Sequence, residues 1–172
     1  MLVAPYLDTL LLLLVAAAAI NDLVSRRIPN LLLLAGLVGA LVLHAISPDP
    51  AGALLACLGG ALLGLLLFLP FYLLRSMAAG DVKMMATVGA FTGPAVAFHI
   101  AIIAWCAGGV MALAIIVFRG RLRLALANLG GIVRRAVWRL PRGDAAAESV
   151  GSMPYGVAIA AGTIYVLLSS QA

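Results

Sequence analysis

Two aspartates are the residues best placed to do chemistry. Asp81 lies in Met77-Ala78-Ala79-Gly80-Asp81-Val82-Lys83-Met84-Met85, and Asp22 in Ile20-Asn21-Asp22-Leu23-Val24-Ser25-Arg26-Arg27-Ile28-Pro29-Asn30. Only 10% of the chain is charged, so an acid between long apolar runs requires a reason. Two carboxyl groups held close together cannot both ionise easily and tend to share a proton. One can then take a proton from an attacking water while the other donates to the oxygen on which charge develops. That is the chemistry of hydrolysis at a carbonyl. Gly80 suits it, because a residue without a side chain lets backbone or substrate approach Asp81 closely. Lys83 supplies a positive charge two residues further on. The alternative is structural: Asp22 ends one helix, and Asp81 caps the start of another with arginines nearby.

The elements that must position these acids are membrane helices. The chain has 172 residues and is 65% hydrophobic, more apolar than a soluble core requires. Pro5 to Ile20 is expected as the first span, closed by Asn21-Asp22. It has no basic n-region and further spans follow, so it reads as a mature helix rather than a signal peptide. Ile28-Pro29-Asn30 starts the second span, Leu31 to Ile46, because proline suits a first helical turn. After the turn Ser47-Pro48-Asp49-Pro50 comes a third span, Ala51 to Leu74. Its Gly52, Gly59, Gly60 and Gly64 let neighbouring helices approach closely. Val82 to Phe118 exceeds one span of about 20 residues. Thr92-Gly93-Pro94 is expected to divide it into a short fourth helix and a fifth span from about Ala95. Met153-Pro154-Tyr155-Gly156 leads into a sixth, Val157 to Leu168. The expected fold is all-α: a polytopic membrane bundle of six transmembrane helices in a single domain, 1–172.

Charge sets the expected topology. Seven arginines fall between Arg119 and Arg142, with Leu122, Leu126, Leu129 and Val133 at helical spacing among them. This pattern predicts a cytoplasmic amphipathic segment over 119–148 on an anionic leaflet, a plain basic linker being the alternative. Six spans put all 11 Lys and Arg residues on one side, which the positive-inside rule makes cytoplasmic. Five spans would put the arginine-rich loop outside. Asp22 and Asp81 then share the cytoplasmic membrane boundary. The net charge of +5 reports orientation, not nucleic-acid binding. Cys57 and Cys106 lie in apolar runs and are expected to be buried packing residues. His44 and His99 have no ligand-spaced partners, so neither a metal site nor a cofactor is expected.

Beyond these physical readings, three motifs carry a resemblance. They are Asp22 with Ile28-Pro29-Asn30; Gly80-Asp81-Val82-Lys83-Met84-Met85-Ala86 followed by Gly89-Ala90-Phe91; and Met153-Pro154-Tyr155-Gly156-Val157-Ala158-Ile159. Together, and in this order, they resemble type IV prepilin peptidases, bacterial members of the GxGD aspartyl protease group, over nearly the whole chain. The resemblance implies that Asp22 and Asp81 are the catalytic pair, with Pro154 and Tyr155 near the site. It implies an enzyme of the bacterial inner membrane, its site facing the cytoplasm, that cleaves basic leader peptides from prepilins or pseudopilins. Substrate and membrane lipids are then the partners, with no nucleic acid and no cofactor.

The chain departs from the family pattern in two places. Ala78 stands at the first glycine of GxGD, which implies an altered loop rather than lost activity. Only Leu23 to Asn30 occupies the place of the cytoplasmic methyltransferase domain of longer members, as in the short Flp (tight-adherence) type. A basic leader gains no long-range attraction from a basic face, so recognition is expected to rest on packing of the substrate's apolar helix. The rival readings are a proton-coupled transporter, which would place charges at several depths, and a non-catalytic subunit of a pilus or secretion platform. Within the enzyme class the nearest rival is a GxGD protease of another specificity.

Overall fold

The computed structural model describes residues 3–74, 76–118, 120 and 153–169. Among them are five helices: α1 (Ala4–Ser25), α2 (Asn30–Ala45), α3 (Pro50–Leu73), α4 (Ala79–Phe118) and α5 (Tyr155–Ser169). Three stretches, Pro5–Ser25, Pro50–Leu73 and Ala79–Phe118, are long and apolar enough to cross a membrane, while α2 and α5 are shorter apolar helices. The arginine-rich segment, 119–148, lies outside the described residues except for Gly120. The chain divides into two units, Met1–Gly108 with Pro154–Ala172, and Gly109–Met153.

The helix boundaries follow local chemistry. α1 does not stop at Asn21-Asp22 as expected from sequence. It runs on to Ser25, because Leu23 and Val24 continue the apolar run and no breaker intervenes. It ends where Arg26 takes a left-handed conformation (φ 54°, ψ 29°) and donates its N–H to the Asp22 carbonyl at 3.1 Å. Pro29, extended at ψ 126°, directly precedes α2. At the start of α3, Asp49 Oδ1 accepts the Gly52 N–H at 3.2 Å and Pro50 opens the first turn. This pairing satisfies one of the donors that a helix start leaves without a partner.

A straight 40-residue α4 would reach about 60 Å, twice the hydrocarbon thickness of a bilayer. The expected break at Thr92-Gly93-Pro94 is present: Gly93 is non-helical (φ 73°, ψ 172°) and divides α4 into limbs 79–92 and 94–118. That φ is comfortable only for glycine. Pro94 lacks an N–H, which leaves the Ala90 carbonyl without its helical donor. His44 Nε2, at the end of α2, donates to Ala90 O at 3.0 Å and fills the vacancy. A histidine that looks solitary in sequence therefore completes the break.

α1 packs against α2 and α5, and α2 against α3. Small residues bring α3 and the first limb of α4 together. A Cβ at Gly60 would collide with the Gly89 carbonyl, one at Gly89 with the Gly60 carbonyl, and one at Gly64 with the Met85 carbonyl. Backbones in such contact associate by close packing, which is what drives helices together where lipid is as apolar as leucine. Gly59 and Gly52 play no such part: Gly59 meets only Pro94, at 4.0 Å, and Gly52 belongs to the α3 cap. The core between the helices holds Leu11, Val15, Phe68, Met84, Met85, Val88, Ile100 and Ile159. Long apolar side chains also face outward, among them Leu31 (76% exposed), Leu55 (73%) and Leu73 (68%). Such surface suits hydrocarbon rather than water. Cys57 is buried as expected, but Cys106 is exposed. Its helical neighbours Ala101, Ala104 and Gly108 take the inward stripe, which turns position 106 outward.

Candidate active site

The two acids enter the same interior from different helices. Asp22 projects from the last turn of α1 and is 6% exposed; Asp81 projects from the first turn of α4 and is 5% exposed. Ile28 lies beside both neighbourhoods, near Gly156, whose N–H reaches Asp22, and near Gly80, which precedes Asp81. Buried carboxyl groups need hydrogen-bond partners, and each takes one from a helix start. Gly156 N–H, in the first turn of α5, donates to Asp22 Oδ2 at 2.8 Å. Ala78 N–H, just before α4, donates to Asp81 Oδ2 at 3.3 Å, while Asp81 N–H returns to Ala78 O at 3.2 Å. The second arrangement is the reciprocal half of a capping box, with aspartate in place of the usual glutamate. Asp81 thus caps its own helix, whereas Asp22 caps a helix far along the chain. The positive ends of α4 and α5 both face the pair.

Ile28 fixes the spacing. It follows the left-handed turn at Arg26 and is 9% exposed. A Cβ at Gly80 would lie 3.4 Å from Ile28 Cβ, and one at Gly156 would lie 3.2 Å from Ile28 Cδ1 and 2.9 Å from Asp22 Oδ2. The isoleucine therefore rests between the glycine that precedes Asp81 and the glycine that holds Asp22. A larger residue at Gly156 would push on the Asp22 carboxyl itself. At Gly80, by contrast, a Cβ would meet Ile28 only at ordinary packing distance, 3.4 Å and beyond.

The remaining sequence-predicted residues divide. Pro154 is buried, and its carbonyl accepts the Val157 N–H at 3.2 Å in the first turn of α5. Tyr155 reaches across to α4, donating its hydroxyl to Ala104 O at 3.2 Å, and its ring meets Phe68 edge-on at 6.0 Å. Lys83 turns the other way: its Nζ donates to Asn30 Oδ1 at 3.0 Å on the exposed side of α4. Sequence reasoning quoted Ile28 and Gly156 within motifs without assigning them a task. Their signal was an apolar residue just before a proline, and a glycine one place into a helix. No group of three or more His, Cys, Asp or Glu side chains converges among the described residues.

Apolar helices of spanning length, with two buried acids that each accept a backbone N–H at a helix start, define a membrane-type helical protein with ionisable groups in its interior. Residues 9–113 match the type IV leader peptidase family, and the chain belongs to that family. It is therefore a protease of the leader peptidase kind. The matched stretch contains both Asp22 and Asp81. No curated protein and no solved structure matches the chain.

Proposed function

We propose that this protein is an aspartyl endopeptidase of the bacterial inner membrane that removes the basic leader peptide from type IV (Flp-like) prepilins or pseudopilins. Asp22 and Asp81 are its catalytic pair. The observation that carries this reading is the burial of two carboxyl groups, each held by a backbone N–H at a helix start, in a leader peptidase family member. One carboxylate takes a proton from water as the water oxygen bonds to the scissile carbonyl carbon. The other, protonated, donates to the developing oxyanion. On collapse of the tetrahedral intermediate the first carboxyl gives its proton to the departing amine as the C–N bond breaks, and the second carboxylate takes back the hydroxyl proton as the new C=O forms. The positive ends of α4 and α5 suit the charge that develops between them. Gly156 and Ile28 act as positioning residues for the pair. Tyr155 and Pro154 set the start of α5, which carries Gly156.

In this reading the peptidase is a single domain of six spans, with α4 crossing twice about Gly93 and the site open to the cytoplasm. The short 26–29 connection leaves no place between α1 and α2 for a methyltransferase domain. A non-catalytic role draws support from one observation, the cap that Asp81 provides to α4. Co-expression separates the two. A Flp-type precursor is produced with the wild-type chain, Asp22→Asn or Asp81→Asn, and its N-terminus is read by mass spectrometry. Cleavage by the wild type alone, at equal membrane insertion, is expected; normal cleavage by both variants would make the acids structural.

A further inference from the structure

A groove of about 760 Å³ is lined by residues of α2, α3 and the first limb of α4. Its walls are Leu31, Leu34 and Leu37 of α2, Leu62 and Leu65 of α3, and Ala86 of α4. The polar lining is Asn30, Lys83 and Thr87. Thr87 is already occupied, its hydroxyl donating to Lys83 O at 2.9 Å. Asn30 and Lys83 lie together, at the first turn of α2 and near the first turn of α4. The groove is thus an apolar slot with one polar end. Leu37 is seven positions beyond Asn30, so the slot follows α2 for about 10 Å.

At that end sits a cation short of partners. Lys83 Nζ donates to the neutral Asn30 Oδ1 at 3.0 Å, and among the described residues it meets no carboxylate. An ammonium has three donors, so two remain to be satisfied. Lysine serves well as a point-charge partner for phosphate. Size argues for a slender occupant. The volume falls within the range of about 300–1,000 Å³ that encloses small ligands. A transmembrane helix some 10 Å across and 30 Å long displaces roughly 2,400 Å³ and would stay mostly outside.

We propose that this groove is a binding site for one anionic phospholipid, its acyl chain along the leucines and its phosphate on Lys83 and Asn30. The site is independent of the assignment of Asp22 and Asp81. It gives Lys83 a partner in the headgroup layer, where a cation near the surface favours an anionic over a neutral lipid by about fivefold.

Native mass spectrometry of the full chain, released from detergent after titration with phosphatidylglycerol or phosphatidylcholine, tests this. The wild type is expected to retain one phosphatidylglycerol about fivefold more than phosphatidylcholine. Lys83→Gln should abolish that preference and Lys83→Arg restore it. Leu34→Trp, which fills the slot, should lower retention of both lipids. Thermal unfolding of each variant in the same detergent identifies any that fails to fold, and Leu62→Trp repeats the slot test from the facing helix. Equal retention of the two lipids by the wild type would overturn the proposal. So would retention unchanged in Lys83→Gln and in both tryptophan variants. A lipid-free wild type that forms a dimer lost in Leu34→Trp would give the groove to a second copy. A lipid-free wild type that crosslinks from position 34 to a precursor helix would give it to substrate.

Discussion

Gly156→Ala is the most informative single change, because it adds one methyl group at the point where α5 holds Asp22. The new Cβ would lie 2.9 Å from Asp22 Oδ2, 3.2 Å from Ile28 Cδ1 and 3.3 Å from Asp22 Cβ. A contact of 2.9 Å between carbon and oxygen cannot persist, so something must give. Ile28 is buried against Gly80 and cannot retreat without pressing on the start of α4. The Asp22 carboxyl is the mobile partner, and it gives way at the cost of the 2.8 Å bond from Gly156 N–H. Hydrogen bonds to charged groups are worth about 1.5–3 kcal/mol. A loss near 2 kcal/mol that falls on the transition state corresponds to about a 30-fold drop in rate. A displacement of the carboxyl by a few tenths of an ångström acts in the same direction. The assay is initial cleavage rate of a leader-bearing precursor in membranes, with insertion and thermal unfolding measured on the same samples. The expected result is a 10- to 100-fold fall in rate from a protein that inserts like the wild type and loses no more than about 3 kcal/mol of stability. Wild-type cleavage by Gly156→Ala would refute the positioning argument.

Three further outcomes follow from other contacts. His44→Leu should destabilise the protein by about 2 kcal/mol, since it strands the Ala90 carbonyl that Pro94 leaves open, and His44→Gln should recover part of the loss; unfolding in detergent measures both. Gly60→Val should cost about 3 kcal/mol or more, because its side chain would have to enter the Gly89 backbone, and the same unfolding experiment checks it. Reversing charge at Arg134 and Arg135, with insertion preserved, should leave precursor cleavage unchanged if recognition rests on apolar helix packing; altered cleavage would return the arginines to substrate recognition.

What could be read from sequence was whatever depends on rarity or on backbone chemistry. Asp22 and Asp81 stood out because charge is scarce in this chain. The break at Gly93 was visible because proline removes a donor and glycine alone tolerates the φ that follows. Hidden were the relations that depend on which way a side chain turns. The bond from Gly156 to Asp22 joins residues 134 positions apart, and no local pattern announces it. Lys83 lies two residues from Asp81, yet helical geometry turns neighbours at that spacing to different faces, and it meets Asn30 instead. Cys106 turned outward for the same reason. The polar pair Asn21-Asp22 looks like a helix stop in sequence, yet α1 runs on to Ser25 and carries Asp22, buried, in its last turn.

The central claim is that Asp22 and Asp81 act as one unit, and their combined substitution tests it most directly. Cleavage of a leader-bearing precursor would be compared for Asp22→Asn, Asp81→Asn and the double variant at matched insertion. Groups that act as a unit are strongly non-additive: losing the second costs little once the first is gone. The account predicts that each single variant loses cleavage and that the double variant is no worse than either. Substantial cleavage by either single variant, or losses that add in the double, would contradict it.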